Sequence, residues 1–76
     1  MAKKERKPKV GDVVLYYPHE SDKTAFSNGH PGPIAAIITR VWSDTTVNLK
    51  IIPDCGAVED RSSVTFGTSK YNWSWT

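Results

Sequence analysis

The stretch that decides the fold is Ile34–Asp54, which reads IAAIITRVWSDTTVNLKIIPD. Its first half is rich in β-branched residues, and Val47–Ile51 alternates apolar with polar side chains. The polar segment Ser43–Thr46 separates the two halves. Successive side chains of a strand point to opposite faces, so alternation around a short polar turn is typical of a β-hairpin. The stretch therefore predicts two antiparallel strands, near 34–42 and 46–52.

Three further strand-like segments and one long loop complete the pattern. The loop, Pro18–Pro33, is rich in Pro, Gly and polar turn-formers, and Phe26 within it is expected to pack on the barrel. Loops of this length in small domains are usually functional or mobile. The predicted fold class is all-β: a small five-stranded SH3-like barrel with a long first loop. Its strands are predicted near 13–17, 34–42, 46–52, 61–66 and 72–75.

The alternation also predicts which side chains face the core. Both alternating sets of the segment 34–42 are partly apolar, and Arg40 suggests that its own set points outward. A domain this small needs large side chains to fill its core, so Trp73 is expected inside. The other predicted core residues are Val13, Leu15, Ile37, Val41, Val47, Leu49, Ile51, Val64 and Phe66.

Charge divides the chain of 76 residues, which carries a net charge of +2, into two unequal parts. Residues 1–9 carry five basic side chains against Glu5, a balance of +4, and residues 10–76 carry five basic against seven acidic, a balance of −2. The first part has too few apolar groups to offset the entropy lost on ordering. We therefore expect residues 1–9 to form a disordered basic tail and residues 10–76 a single domain.

Neither the cysteine content nor the apolar pattern indicates secretion or membrane insertion. Cys55 is the one cysteine, so the chain cannot form an internal disulfide, which fits a reducing compartment. No apolar run approaches the roughly 18 residues of a transmembrane helix. The sequence predicts a cytoplasmic protein that does not contact membranes.

Catalytic and metal-binding motifs are missing from the sequence. It holds no close-spaced Cys or His pair of the kind that binds zinc, no phosphate-binding glycine loop and no G-x-S-x-G nucleophile motif. We expect a protein that is not an enzyme and takes no cofactor or metal.

Aromatic residues near the hairpin turn and the last strand are the candidates for binding. Trp42, Trp75 and Tyr71, with Arg40 placed to form a cation–π pair with Trp42, would form a partner-binding surface where the long loop, the hairpin turn and the last strand meet. The competing interpretation is that these rings fill the core. An alternative function is nucleic-acid binding through exposed aromatics and the basic tail, and the cations concerned are Lys3, Lys4, Arg6, Lys7 and Lys9.

Four sequence segments resemble a family of small phage- and prophage-encoded proteins. They are KVGDVVLYYP, PIAAIITRVWSDTTVNLKIIPD, SSVTFG and WSW, which match a GD-V-Y opening, an A-I-T-x-V-W-x-D-x-x-V-N-L hairpin, an S-V-x-F strand and a W-x-W end. The resemblance covers about Val10 to Trp75. It implies a phage origin and a small β-barrel, and it carries no catalytic residues over. The GD-x-V opening is also similar to KOW, Tudor and other SH3-like barrels.

Together these features predict a non-enzymatic phage accessory protein in the cytoplasm of the bacterial host. The expected partner is a protein, which would be a host factor, a defence component or a virion protein. Nucleic-acid binding is the alternative, and the sequence does not determine the oligomeric state.

Overall fold

The chain forms a five-stranded β-barrel, as the sequence predicts. The computed structural model describes residues 6–24 and 32–76. The strands are β1 (Val13–Tyr17), β2 (Ile34–Val41), β3 (Thr46–Ile51), β4 (Glu59–Phe66) and β5 (Asn72–Trp75). They close in chain order, with β1 antiparallel to both β2 and β5. Every strand end lies within two residues of its predicted position.

The barrel closes through a short seam between β4 and β5. The seam consists of two parallel residue pairs, Thr65 with Asn72 and Phe66 with Trp73. On its other side, β4 pairs with β3. The register of that pairing shifts at a bulge in β4, where Ser63 has a φ of 53°. Bulges and charged side chains are devices that keep an open strand edge from pairing with other chains. The bulged and highly charged start of β4 fits that description.

The core consists of apolar side chains from all five strands. Trp73 is fully buried, and its indole Nε1 donates a hydrogen bond to the carbonyl oxygen of Thr45, 3.0 Å away. This satisfies the polar end of the largest core side chain. The predictions for Trp73, Val47, Leu49, Ile51 and Val64 are confirmed. The full set of buried apolar residues is Val14, Tyr16, Ile34, Ala36, Ile38, Val47, Leu49, Ile51, Val64 and Trp73.

The predicted facing of β1 and the first part of β2 is wrong. Val13 is 53% exposed, and Leu15 and Ile37 are half-buried on the outer surface. Both faces of these strands are apolar, so alternation by itself cannot tell inside from outside. The deduction from Arg40 failed because the register shifts between Ile38 and Arg40. That bulge lets Ile38 point inward and Arg40 outward, although they belong to the same alternating set.

Two other predicted core residues are less buried than expected. Val41 is partly buried and packs against the core. Phe66 is half-exposed, and its ring meets the edge of Trp73 with 5.1 Å between centroids. Phe66 is the last residue of β4 and lies opposite Trp73 in the β4–β5 seam.

The described part of the basic tail lies against the barrel. Pro8 is buried, and the backbone amide of Lys9 donates to the Asp12 carboxylate at 3.0 Å. These contacts extend the folded part beyond the predicted boundary at Val10. The rest of the predicted tail, with Lys3 and Lys4, lies outside the described residues. So does the part of the long loop that holds Phe26.

Candidate functional site

Arg40 and Trp42 form a stacked pair on the outer surface of the β2–β3 hairpin. The guanidinium carbon of Arg40 lies 4.1 Å from the centroid of the Trp42 ring, within the range of a cation–π contact. Trp42 is 54% exposed, and its Nε1 donates to Oδ1 of Asn48 at 2.8 Å. A large apolar ring is therefore held at the surface by a cation on its face and a hydrogen bond at its edge.

Hydrogen bonds in the hairpin turn hold the backbone of Trp42 in place. The backbone amides of Trp42 and Ser43 both donate to the carbonyl oxygen of Thr46, at 2.9 and 3.1 Å. The hydroxyl of Ser43 accepts from the amides of Thr45 and Thr46. Ser and Thr side chains favour such local bonds with the backbone, which explains the Ser43–Thr46 segment. The turn therefore supplies a rigid base for the ring.

Asn48 connects three strands beneath this pair. Its Oδ1 accepts from Trp42 on the β2 side and from the amide of Ser63 in β4, the latter at 2.9 Å. Ser63 is the residue with positive φ in the β4 bulge. A bulge interrupts the hydrogen bonds between strands, and the side chain of Asn48 accepts a hydrogen bond from the Ser63 amide there. Sequence reasoning missed Asn48, because a polar residue in an alternating strand is usually a solvated side chain.

Arg40 is exposed, and its guanidinium contacts the ring of Trp42. Within the part of the chain that the structure describes, the guanidinium donates no hydrogen bond and joins no ion pair. A guanidinium carries five N–H donors in one plane, and stacking on a ring leaves that plane accessible at its edges.

Trp75 forms a lid at the barrel end beneath the basic tail. It packs partly buried against the core, and its ring meets Trp73 edge to face at 5.0 Å. Arg6 lies over the ring, 4.0 Å from its centroid, and Lys7 lies 3.9 Å from the carboxylate of Asp44 in the hairpin turn. The outer face of the Trp75 ring is therefore covered by Arg6 of the same chain.

Tyr71 lies apart from the Arg40–Trp42 pair. It is half-exposed, adopts a φ of 67° just before β5, and stacks on His19 with 5.6 Å between ring centroids. Among the described residues, no ring contact or hydrogen bond joins Tyr71 or Trp75 to Trp42. The structure thus brings Arg40 and Trp42 together and distributes the other two rings elsewhere.

A buried polar cluster around Asp22 fastens the long loop to the barrel. The Asp22 carboxylate accepts from the hydroxyl of Tyr16 at 2.9 Å, from the amide and hydroxyl of Thr24 at 2.9 and 2.8 Å, and from Arg61 at 2.6 and 3.3 Å. Tyr16 belongs to β1 and Arg61 to β4, so the cluster ties the start of the loop to both strands. Asp22 and Arg61 are 39 residues apart, and no local pattern indicates their contact.

The cluster shifts the acidity of two of its members. Burial favours the neutral form of Asp22, but the hydrogen bonds from Arg61, Thr24 and Tyr16 outweigh it and lower the pKa to about 2. Burial and the bond to Asp22 raise the pKa of Tyr16 to about 12. Asp22 is therefore a carboxylate, and Tyr16 a neutral phenol, at all ordinary pH values. Both act as structural anchors.

Comparison of the chain with models of protein families, with curated proteins and with solved structures finds no match. In residues 6–24 and 32–76, no three His, Cys, Asp or Glu side chains gather closely enough to hold a metal ion. A search of the same residues for a helix that could span a bilayer finds none.

Proposed function

We propose that this chain is a non-enzymatic phage accessory protein that binds a protein partner through the surface around Trp42. The observation that carries the proposal is the fixed, exposed Arg40–Trp42 pair supported by Asn48. The phage origin rests on the sequence resemblance alone.

The pair has the properties of an interface hot spot. Trp and Arg are the residue types most enriched at such positions. Side chains that are already ordered lose less conformational entropy on binding, and Trp42 is held at both its face and its edge. A partner that covers Trp42 would bury an apolar surface without first having to organise it.

Charge distribution favours a protein over a nucleic acid. Affinity for nucleic acids comes chiefly from unpaired cations that neutralise phosphates. In the part of the chain that the structure describes, three exposed lysines are paired with carboxylates, which would repel phosphates. The ion pairs are Lys7 with Asp44, Lys23 with Glu59, and Lys50 with Asp60.

The proposal is tested by capture of partners from a bacterial lysate with three forms of the protein: wild type, Trp42→Ala and Val58→Ala. Val58 is a matched control because it is also half-exposed, at 50%, and lies outside the hairpin. Each capture is performed with and without nuclease treatment before elution. We expect wild type and Val58→Ala to retain the same protein after nuclease treatment, and Trp42→Ala to lose it while its melting curve remains cooperative.

Either of two results would overturn the proposal. One is capture that disappears with nuclease, which would favour the nucleic-acid alternative. The other is a Trp42→Ala variant that is folded and captures every partner as the wild type does.

A further inference from the structure

The outer surface of β1 and β2 carries apolar side chains next to the Arg40–Trp42 pair. Val13 lies directly opposite Ile37 in the antiparallel ladder, and Leu15 lies opposite Ala35. Their chain neighbours Val14 and Ala36 are buried, so these four side chains point away from the core. We call Val13, Leu15, Ala35 and Ile37 the apolar strip.

The apolar strip contributes little to the barrel's own core. Val13 is 53% exposed, and the other three side chains are half-buried or exposed. Contiguous exposed apolar side chains are a feature of protein interaction sites. Across the ladder, Lys50 lies opposite Ile37, and its charge is paired with that of Asp60.

Arg40, which forms no ion pair within residues 6–24 and 32–76, places a cation at one end of this surface. It follows Ile37 along β2, past the bulge, and its guanidinium carbon lies 4.1 Å from the centroid of the Trp42 ring, which restrains the side chain. A fixed guanidinium binds a carboxylate through two parallel N–H···O bonds, a geometry that a lysine cannot reproduce. Charge complementarity therefore calls for an anion in the same ligand that covers the apolar strip.

We infer that the apolar strip and Arg40 together bind a segment of the protein partner that sets apolar side chains on the strip and an Asp or Glu carboxylate on the guanidinium. This inference rests on the proposed function and specifies its ligand. A nucleic acid is disfavoured at this surface, because among the described residues it would meet the guanidinium of Arg40 beside apolar side chains that cannot neutralise phosphates.

The inference is tested by peptide selection. A library of random peptides, each long enough to span the strip, is passed over the immobilised wild-type protein, and the peptides that bind are recovered. Affinities of the selected peptides are then measured for wild type, Arg40→Gln, Trp42→Ala and Lys70→Gln. Lys70→Gln is the charge-matched control, since it removes an exposed cation from the turn before β5. Each peptide is also resynthesised with Asn or Gln in place of its Asp or Glu.

We expect the selected peptides to carry an acidic residue close to apolar ones. Arg40→Gln should weaken their binding roughly 10- to 100-fold, as expected for the loss of a charge-assisted hydrogen-bonded pair. Neutralising the peptide carboxylate should have an effect of the same size, and Lys70→Gln should change affinity less than about twofold. Val13→Thr should weaken binding and Val58→Thr should not.

The outcomes separate this inference from the function on which it rests. Peptides that need Trp42 but bind Arg40→Gln and the neutralised sequence at full strength would overturn the inference and leave the proposed surface intact. Peptides that bind both Arg40→Gln and Trp42→Ala at full strength would overturn both. Failure to select any peptide on wild type would overturn the inference, and lysate capture would then decide the proposed function.

Discussion

Replacing Asp22 by Asn should destabilise the barrel far more than any other change to a loop carboxylate. The Asp22 side chain is 2% exposed and accepts hydrogen bonds from Tyr16, Thr24 and Arg61. Asparagine keeps the shape but removes the charge and directs an NH₂ group at these donors. Removing one partner of a fully buried ion pair costs about 3–5 kcal/mol. Because Arg61 remains 26% exposed, we expect about 2–4 kcal/mol.

The pH dependence of this effect has a definite sign. The pKa of Asp22 is lowered from 3.8 to about 2 in the folded protein. The folded state therefore holds its proton less tightly than the unfolded chain, and the stabilisation is fully present above about pH 5. It is lost as the pH falls from about 5 to 2, and it amounts to at most about 2.5 kcal/mol. The gap in unfolding free energy between wild type and Asp22→Asn should narrow over that interval.

Urea denaturation followed by circular dichroism at several pH values measures both effects. Asp44→Asn is the matched control, since Asp44 is an exposed carboxylate whose pair with Lys7 is worth at most about 0.5 kcal/mol. A cost of Asp22→Asn below about half a kcal/mol, or a gap that stays constant down to pH 2, would refute the reasoning.

Three further predictions concern the core, the phenol and the tail. Leu49→Ala should cost about 2–5 kcal/mol because Leu49 is fully buried, and a cost near zero in the same denaturation assay would place it on the wrong face. Tyr16→Phe should cost about 1–2 kcal/mol, since it removes one donor to Asp22 and leaves the ring in the core; an unchanged midpoint would mean that the bond contributes nothing. Removing residues 1–9 should lower stability by about 1 kcal/mol through the loss of buried Pro8 and the Lys9–Asp12 bond, whereas an unchanged melting temperature would show that Arg6–Lys9 add no packing.

The sequence predicted the strands well and their facing unevenly. In β3, polar Asn48 and Lys50 separate the apolar residues, so the inward face was unambiguous. In β1 and β2 the outward residues are apolar too, and the pattern carries no amphipathic contrast. The same outward residues form the apolar strip. The apolar side chains that made the core prediction wrong are therefore the ones that form the proposed ligand surface.

The candidate site was predicted in part for a similar physical reason. The Arg40–Trp42 contact follows from spacing along one strand, which the sequence displays directly. The roles of Asn48 and Asp22 depend on bonds to β4, which arise when the barrel closes. The cover of Arg6 over Trp75 likewise joins the two ends of the chain. Contacts between residues far apart in the chain produce no repeating pattern that sequence analysis could detect.

A map of the partner contact by amide and indole chemical shifts tests the central claim most directly. Spectra of the isotopically labelled protein are recorded alone and with the captured partner, and the perturbed signals are assigned to residues. The account predicts the largest changes at the Trp42 indole, Arg40 and Asn48, with smaller ones at Val13 and Ile37. Changes centred on Tyr71 and His19, with the Trp42 indole unaffected, would contradict it.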